Sequence, residues 1–487
     1  MKQKVIAQYV PSNLNLNKLF VVHPPTTIKN FKLDNFVYII GLIVSIPASN
    51  KDLLTSKGFV PINSTILQKK IRNYNEYIDY LLLHKIFVSD NHSINFIKSR
   101  GYKFGPLYEN SGIVGIPITD FQLKKSIYKT TELTAAKQKK YNHLLKWYDE
   151  RLEIDDETAV AFIEADLRRK IENPKLCDLD KKGNFKDPYL QYKCALLNIQ
   201  RIKAGYFNLS IDDNVKRLHS TISNFRGILR NCISFGGRKL LSIDIKNSQP
   251  YLSTVLLTKL FWIGKDLCDS CTGLSINLFY DRLFRDIFNN RDNTLDSFVT
   301  LVNTYITQAD SDLHRYKTLV QQGVFYKYLG DEFTKELGFD YRDKKYLKPI
   351  VFLVFFTHNS FLAQDEAKHK RIFKNLFPDL YHIFSLIKKS DKTNLPRLLQ
   401  RIESHLMLNV ITKRIAAERK DLPIFTIHDS IVTTDDAGNA EYIQRIMEEE
   451  FTKAIGFPPK FEIEYWDVAK LTFNDGKPFQ KEIAIAV

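Results

Sequence analysis

Cysteine is scarce in this chain, with five residues among 487. An odd and widely spaced set does not provide the disulfide framework of a small secreted protein. Cys268 and Cys271 form a CxxC pair, but no second pair or neighbouring histidine completes the ligand set of a zinc site. The cysteines therefore predict ordinary thiols.

Long hydrophobic runs are also lacking. The longest apolar stretch, Pro349–Thr357, is far shorter than the roughly 20 residues that a membrane helix needs. The opening residues contain no apolar segment of a signal peptide. There is no internal repeat and no low-complexity tail. We therefore expect a globular cytoplasmic protein without a membrane partner, and the length suggests about three domains.

Acidic residues are the minority charge, with 55 Asp and Glu against 71 Lys and Arg, which gives a net charge of +16. An excess of this size favours polyanionic partners such as nucleic acid. The 34 Phe and 24 Tyr supply rings on which bases stack, although most will be core. A basic protein without a nucleic-acid ligand is the alternative.

The first 130 residues predict a small α+β domain. A helix beginning at Ser64 and a second at Tyr77–Lys85 precede two short strands, Ile86–Val88 and Ile94–Phe96, and a basic turn, Lys98–Phe104. Helix, helix and basic hairpin is the order of a winged helix, which binds nucleic acid. A generic α+β region is the alternative.

Residues 131–209 predict a mainly helical region. Its segment Thr134–Leu152 carries four lysines beside leucines and a tryptophan, which suits contact with a duplex backbone. A solvated charged face over an ordinary helical bundle explains the same pattern.

An aspartate stands at the end of an apolar strand that we predict over Lys239–Ile245. Asp244 is followed by a polar turn and then by a predicted helix, Leu252–Leu260. A carboxylate in such a place is costly to bury unless it is paired or binds a metal. Helix capping is the alternative role.

A second aspartate stands at the tip of an apolar hairpin, predicted over Ile424–Thr434 with its turn at His428 and Asp429. An ordinary Asp in a tight turn is the alternative. Carboxylates at the ends of neighbouring strands, however, can together hold two Mg²⁺ ions, which is the arrangement that nucleotidyl transfer requires. Asp244 and Asp429 are therefore the candidate metal ligands.

Between the two aspartates lies a basic and aromatic helical pattern. Lys344, Lys348, Phe352 and Phe356 recur at a spacing of four, which places them on one helix face. Two cations and two rings on one face suit a nucleoside triphosphate. An amphipathic helix with core phenylalanines is the alternative.

In this order, these segments resemble the family A DNA polymerases and the related single-subunit phage-type RNA polymerases. Asp244–Gln249 resembles motif A, the pattern 344–356 resembles motif B, and His428 with Asp429 resembles motif C. The resemblance covers roughly residues 210–475. Its weaker flanking matches are Arg217–Ser220 with Leu229 and Arg230, Gln400, and the strand beginning at Phe461 with Trp466.

The resemblance implies the α+β right-hand polymerase architecture. The segments would be an N-terminal nucleic-acid-binding domain at 1–130, a thumb-like region at 131–209, palm segments at 210–261 and 396–487, and fingers at 262–395. The catalytic cofactor would be two Mg²⁺ ions, with Mn²⁺ as a substitute.

The resemblance also assigns roles to single residues. Asp244 and Asp429 would hold the metals, and Lys348 would also protonate the leaving pyrophosphate. The nucleotide would contact Lys344, Lys348, Phe352, Phe356 and Gln249, the last of these at the sugar. The DNA primer-template would contact Arg217, Gln400 and His428.

The chain departs from the family pattern at several of these positions. Lys344 replaces an arginine, Phe356 a tyrosine and Thr357 a glycine. Ser430 after Asp429 is typical of the RNA-polymerase branch, whereas Gln249 stands where the DNA branch has a glutamate that excludes the ribose 2′-hydroxyl. The sequence therefore leaves three functions open: a DNA polymerase of a phage, plasmid or mobile element, an RNA polymerase or primase, and a non-catalytic nucleic-acid-binding protein. An acidic proofreading signature is lacking before residue 210.

Overall fold

The computed structural model describes residues 7–54, 57–90, 99–131, 133–180, 183–263, 274–279, 287–288 and 294–480. Cys268, Cys271 and the predicted strand Ile94–Phe96 lie outside these residues. The chain forms two compact units. The first comprises residues 1–210, 219–240 and 465–487, and the second comprises residues 211–218 and 241–464.

The strands in chain order are β1 Ala7–Pro11, β2 Val60–Pro61, β3 Phe87–Ser89, β4 Gly101–Phe104, β5 Ile113–Pro117, β6 Leu152–Ile154, β7 Ser210–Ile211, β8 Leu218–His219, β9 Ile233–Phe235, β10 Arg238–Ile245, β11 Phe425–Ile427, β12 Ser430–Thr434 and β13 Phe461–Tyr465. The strands pair antiparallel in β1–β5, β2–β4, β3–β4, β6–β9, β9–β10 and β11–β12.

Nine helices lie in the first unit: α1 Leu16–Val22, α2 Leu33–Ser49, α3 Ser64–Lys70, α4 Tyr74–Leu83, α5 Phe121–Thr131, α6 Ala135–Leu145, α7 Asp156–Glu172, α8 Pro188–Lys203 and α9 Thr221–Asn224, counted over its described residues. Those of the second unit, over the same part of the chain, are α10 Ser248–Ser253, α11 Lys259–Ile263, α12 Leu295–Thr307, α13 Asp312–Gln321, α14 Phe325–Leu337, α15 Lys344–Phe356, α16 Lys368–Leu376, α17 Pro378–Ile387, α18 Asn394–His405, α19 Thr412–Glu418 and α20 Asn439–Ile455.

Helix α2 is the centre of the first unit's core. Its sequence is apolar on nearly every side, so the helix is buried rather than amphipathic. Gly41 lets strand β1 approach closely, because a Cβ there would lie 2.5 Å from Oε1 of Gln8. The N-terminal end is fixed by Asp34, whose carboxylate accepts a hydrogen bond from the Thr119 amide at 2.6 Å.

Helices α3 and α4 and the antiparallel pair β3–β4 follow one another in the order predicted for a winged helix. The predicted basic turn Lys98–Phe104 was wrong in part, since Gly101–Phe104 is strand β4 between β2 and β3. Tyr102 and Phe104 of that strand are buried, so packing rather than turn chemistry decides its conformation. The winged-helix interpretation stays a prediction.

The second unit is built around strand β10, with the hairpin β11–β12 on one side and β13 on the other. The prediction of one helix over Leu252–Leu260 was wrong: α10 tightens into a 3₁₀ turn at Thr254–Leu257, and Thr258 is extended. The hydroxyls of Ser253, Thr254 and Thr258 each donate to the backbone carbonyl three residues back. Such bonds compete with the regular helical ladder.

Helices α18 and α19 are joined by a π-helical segment, Leu406–Ile411. The side chains of this segment at 406–408 and 411 are buried. Inserted π turns are frequent at functional sites because they re-aim the side chains around them. Glu403, in the last turn before the segment, lies within electrostatic range of Asp244 and Asp429.

Candidate active site

Asp244 lies near the end of strand β10, in the middle of the second unit's sheet. Its neighbours Ile243 and Ile245 are 0% and 2% exposed and anchor the strand in the core. Asp244 itself is half-buried. The strand end at this position confirms the predicted element.

Asp429 lies in the two-residue turn of the hairpin β11–β12, in which Ile427 is paired with Ser430. His428 takes a positive φ of 56°. Two-residue hairpins require such a conformation, and a non-glycine residue in it is strained. The turn leaves His428 exposed and Asp429 half-buried.

The carboxyl groups of Asp244 and Asp429 lie side by side and share a hydrogen bond. Burial raises the pKa of Asp244 to about 7, and the negative charge of Asp429 adds to the rise. Neighbouring carboxylates repel each other when both are ionised, which favours a proton or a cation between them. The surroundings of Asp244 therefore favour either its protonated form or a bound cation near neutral pH.

Helix α15 confirms the helical prediction for residues 344–356. Lys348 is exposed, and its charge opposes the rise in the pKa of Asp244, so the ammonium lies within electrostatic range of the carboxyl pair. Phe352 stacks on Phe356 with ring centroids 5.7 Å apart and is 37% exposed. Lys344 begins the helix, but its side chain lies outside the described part of the chain.

Gln249 is buried beneath this region, and its Nε2 donates to Glu403 at 3.2 Å. Its Oε1 is buried without a hydrogen-bond partner. An orphaned acceptor of this kind costs roughly 1–3 kcal/mol, unless a bound molecule supplies a donor.

Arg217 forms a bidentate ion pair with Glu403. Its Nε and Nη2 donate to the carboxylate at 2.9 and 2.7 Å. The Arg217 side chain is 18% exposed and that of Glu403 is 1% exposed. Burial raises the pKa of Glu403 to about 7; the Arg217 guanidinium opposes the rise, and the charges of Asp429 and Asp244 add to it.

The structure thus brings Asp244, Asp429, Lys348, Gln249 and Arg217 into one region of the second unit. Gln400 lies half-buried on α18, one turn before Glu403. Leu229 and Arg230 belong to the first unit. In the same unit, the buried Trp466 donates its amide to the Leu240 carbonyl at 2.8 Å.

Sequence reasoning missed two acids of this region, Glu403 and Glu462. Glu403 lies on an amphipathic helix, where a single acid carries no signal of its own. Glu462 alternates with apolar residues on β13, and its charge raises the pKa of Asp244. The available signal was the strand that the sequence predicts from Phe461 onward. It would place Glu462 beside Asp244 only if the pairing of that strand with β10 were known.

The side chains of Asp244 and Asp429 suit a hard divalent cation, because paired carboxylate oxygens are the ligands that Mg²⁺ and Mn²⁺ prefer. Within the described residues, no group of three or more His, Cys, Asp or Glu side chains is arranged to hold a metal. Mg²⁺ is usually bound by one or two carboxylates together with water and substrate phosphates. Asp244 and Asp429 match that mode of binding.

No family model and no curated protein matches the sequence. Among solved structures, the POL domain of Pol1 from M. smegmatis in complex with DNA primer-template and dNTP is similar over 73% of each chain. The sequence identity is 12% and the TM-score is 0.30, a value too low to assign a fold or family. No helix among the described residues is long and apolar enough to cross a membrane.

Proposed function

We propose that this chain is a template-directed nucleotidyltransferase, and specifically a DNA polymerase of a phage, plasmid or mobile element. The observation that carries the proposal is the side-by-side position of Asp244 and Asp429. These residues come from distant parts of the sequence, and no structural need explains two adjacent, half-buried acids.

Helix α15 supports the nature of the substrate. It presents a cation, Lys348, near the carboxyl pair and two stacked rings, Phe352 and Phe356, further along. A triphosphate carries negative charge at one end and a flat base at the other. One helix that offers an ammonium and a ring pair suits both ends.

Asp244 and Asp429 would hold two divalent cations, which when bound activate the primer 3′-hydroxyl and bind the triphosphate. Lys348 neutralises phosphate charge and donates a proton to the leaving pyrophosphate. Phe352 and Phe356 pack on the incoming base and sugar. Gln249 offers its orphaned Oε1 at the sugar, while Arg217, Gln400 and His428 border the primer-template.

The architecture that accompanies this function is the right hand. We propose palm segments at 210–261 and 396–487, fingers at 262–395, a thumb-like region at 131–209 and a nucleic-acid-binding domain at 1–130. The basic composition, with a net charge of +16, supports a DNA partner.

The test is primer extension with Mg²⁺ on a DNA primer-template, with dNTPs and NTPs supplied in separate reactions. Extension by the wild type and its loss in Asp429→Ala and Asp244→Ala is the expected result. Asp435→Ala is the matched control, because Asp435 is an exposed acid just beyond β12. Preference for NTPs would identify an RNA polymerase or primase. Tight DNA binding without incorporation of either nucleotide would identify a non-catalytic binding protein.

A further inference from the structure

Two buried lysines converge on the C-terminal end of helix α15. Lys370 of α16 donates from Nζ to the Thr357 carbonyl at 3.1 Å, the Thr357 hydroxyl at 3.0 Å and the His358 carbonyl at 2.7 Å. Lys388, directly after α17, donates to the carbonyls of Phe355 at 2.7 Å and Thr357 at 3.3 Å. Both lysines are 0% exposed.

The two lysine amines donate hydrogen bonds to the carbonyl groups at the C-terminal end of α15. The last carbonyls of a helix have no partner within the helix and attract cations. The two amines donate to backbone carbonyls and one hydroxyl, none of which carries a full charge. Burial therefore lowers the pKa of Lys388 to about 7, with the charge of Lys370 adding to the effect, and lowers the pKa of Lys370 to about 8.

Thr357 connects this anchor to the helix itself. Its hydroxyl donates to the Leu353 carbonyl at 2.7 Å and accepts from Lys370. The ring of Tyr381 lies 5.8 Å from Lys370 Nζ and 6.0 Å from Lys388 Nζ, which adds cation–π attraction. Three elements, α16, α17 and the end of α15, thus meet at Thr357.

Helix α15 needs such an anchor because it contains Pro349. Proline removes one hydrogen bond from a helix and weakens it at that point. The segment Phe352–Phe356 lies after the proline, and its Phe355 carbonyl accepts from Lys388. The C-terminal contacts therefore act on the same part of the helix that carries the ring pair.

We propose that Lys370 and Lys388 are positioning residues that fix the end of α15 and thereby align Phe352 and Phe356 for the nucleotide. The inference rests on the proposed function in that α15 contacts the nucleotide. Neither lysine touches substrate; both act through the carbonyls of residues 355, 357 and 358.

The experiment compares Lys370→Met and Lys388→Met with the wild type. Lys374→Met is the matched control, because Lys374 is an exposed lysine of the same helix that also faces Tyr381, at 5.9 Å. Thr357→Val exchanges the hydroxyl for a methyl group and leaves both lysines in place. This variant is measured instead if the Met variants do not fold. The two readouts are amide hydrogen exchange in residues 352–358 and the nucleotide KM in primer extension.

We expect faster exchange in the Met variants, and a nucleotide KM raised about tenfold or more with a smaller change in kcat, since misplaced binding groups weaken substrate alignment. The Lys374 variant should match the wild type in both readouts. Unchanged exchange overturns the anchor, and faster exchange with an unchanged KM overturns the positioning role. A wild type that incorporates no nucleotide refutes the proposed function, whereas the exchange readout still decides whether the anchor exists.

Discussion

The guanidinium of Arg217 and the carboxylate of Glu403 form a two-point ion pair across 186 positions of sequence. Glu403 also accepts from Gln249, so one buried acid fixes a cation and an amide at once. The pair links the β8 end of the short hairpin β7–β8 to helix α18. Because the pair fixes the Glu403 carboxylate, it also orients the Gln249 amide that donates to it.

Arg217→Met should destabilise the protein by about 3–5 kcal/mol, because a buried carboxylate loses its partner. The loss should be larger at pH 8 than at pH 5.5, since the pKa of Glu403 is raised to about 7 and its protonated form needs no cation. Urea unfolding at the two pH values measures the effect. Asp331→Asn, which breaks the exposed pair with Arg342, should cost less than about 1 kcal/mol. Equal costs for the two variants would contradict the argument.

Divalent-metal binding should strengthen as the pH rises through about 7. The pKa of Asp244 is raised from 3.8 to about 7. Between these two pH values, the folded protein therefore keeps a proton on Asp244 that the unfolded chain has lost. Without metal, the contribution of Asp244 to stability therefore falls as the pH rises from about 4 to 7. A metal must displace that proton in order to bind.

Calorimetric titration with Mn²⁺ at pH 6 and pH 8 measures this effect, and we expect at least about tenfold tighter binding at pH 8, with proton release at pH 6. Asp244→Asn should remove both the affinity and its pH dependence. Asp435→Asn should change neither. An affinity independent of pH would show that Asp244 is not a ligand.

Replacement of Phe355 should lower the stability of the protein, whereas replacement of Phe352 on the same helix should weaken nucleotide binding. Phe355 is 0% exposed and packs against Phe373 and Phe384, so Phe355→Ala should cost about 3–5 kcal/mol of stability. Phe352 is 37% exposed, so Phe352→Ala should leave the unfolding midpoint nearly unchanged while raising the nucleotide KM. Thermal unfolding and primer extension separate the two effects. A Phe352 variant with normal KM would argue against a nucleotide on this face.

His428→Gly should preserve or raise stability, by up to about 1 kcal/mol, because glycine adopts the φ of 56° without strain. If His428 contacts the primer terminus, the variant should nevertheless bind primer-template more weakly. Fluorescence anisotropy with labelled DNA measures binding, and urea unfolding measures stability. A loss of stability would mean that the imidazole supports the hairpin instead.

The sequence predicted the elements that carry the strongest periodic patterns. Strand β10, the hairpin around Asp429, helix α15 and strand β13 were all placed within one or two residues. Each has an apolar, an alternating or a four-residue pattern of its own.

The remaining features depend on partners distant in sequence. Glu403 acquires its role from Arg217 and Gln249, and Lys370 and Lys388 acquire theirs from the end of another helix. In the sequence each is one charged residue in an amphipathic helix or just after one, where solvent exposure is the ordinary expectation. Only the packed structure shows that these charges are buried.

The interleaved course of the two units has a consequence for dissecting this protein. The chain passes from one unit to the other between residues 210 and 211, 218 and 219, 240 and 241, and 464 and 465. Arg217 is therefore separated from Asp244 by a segment, 219–240, that belongs to the other unit. A single truncation cannot isolate the second unit, and a contiguous fragment that keeps its whole metal and nucleotide region also carries part of the first. Deletion analysis should accordingly remove internal surface loops rather than seek a minimal catalytic fragment.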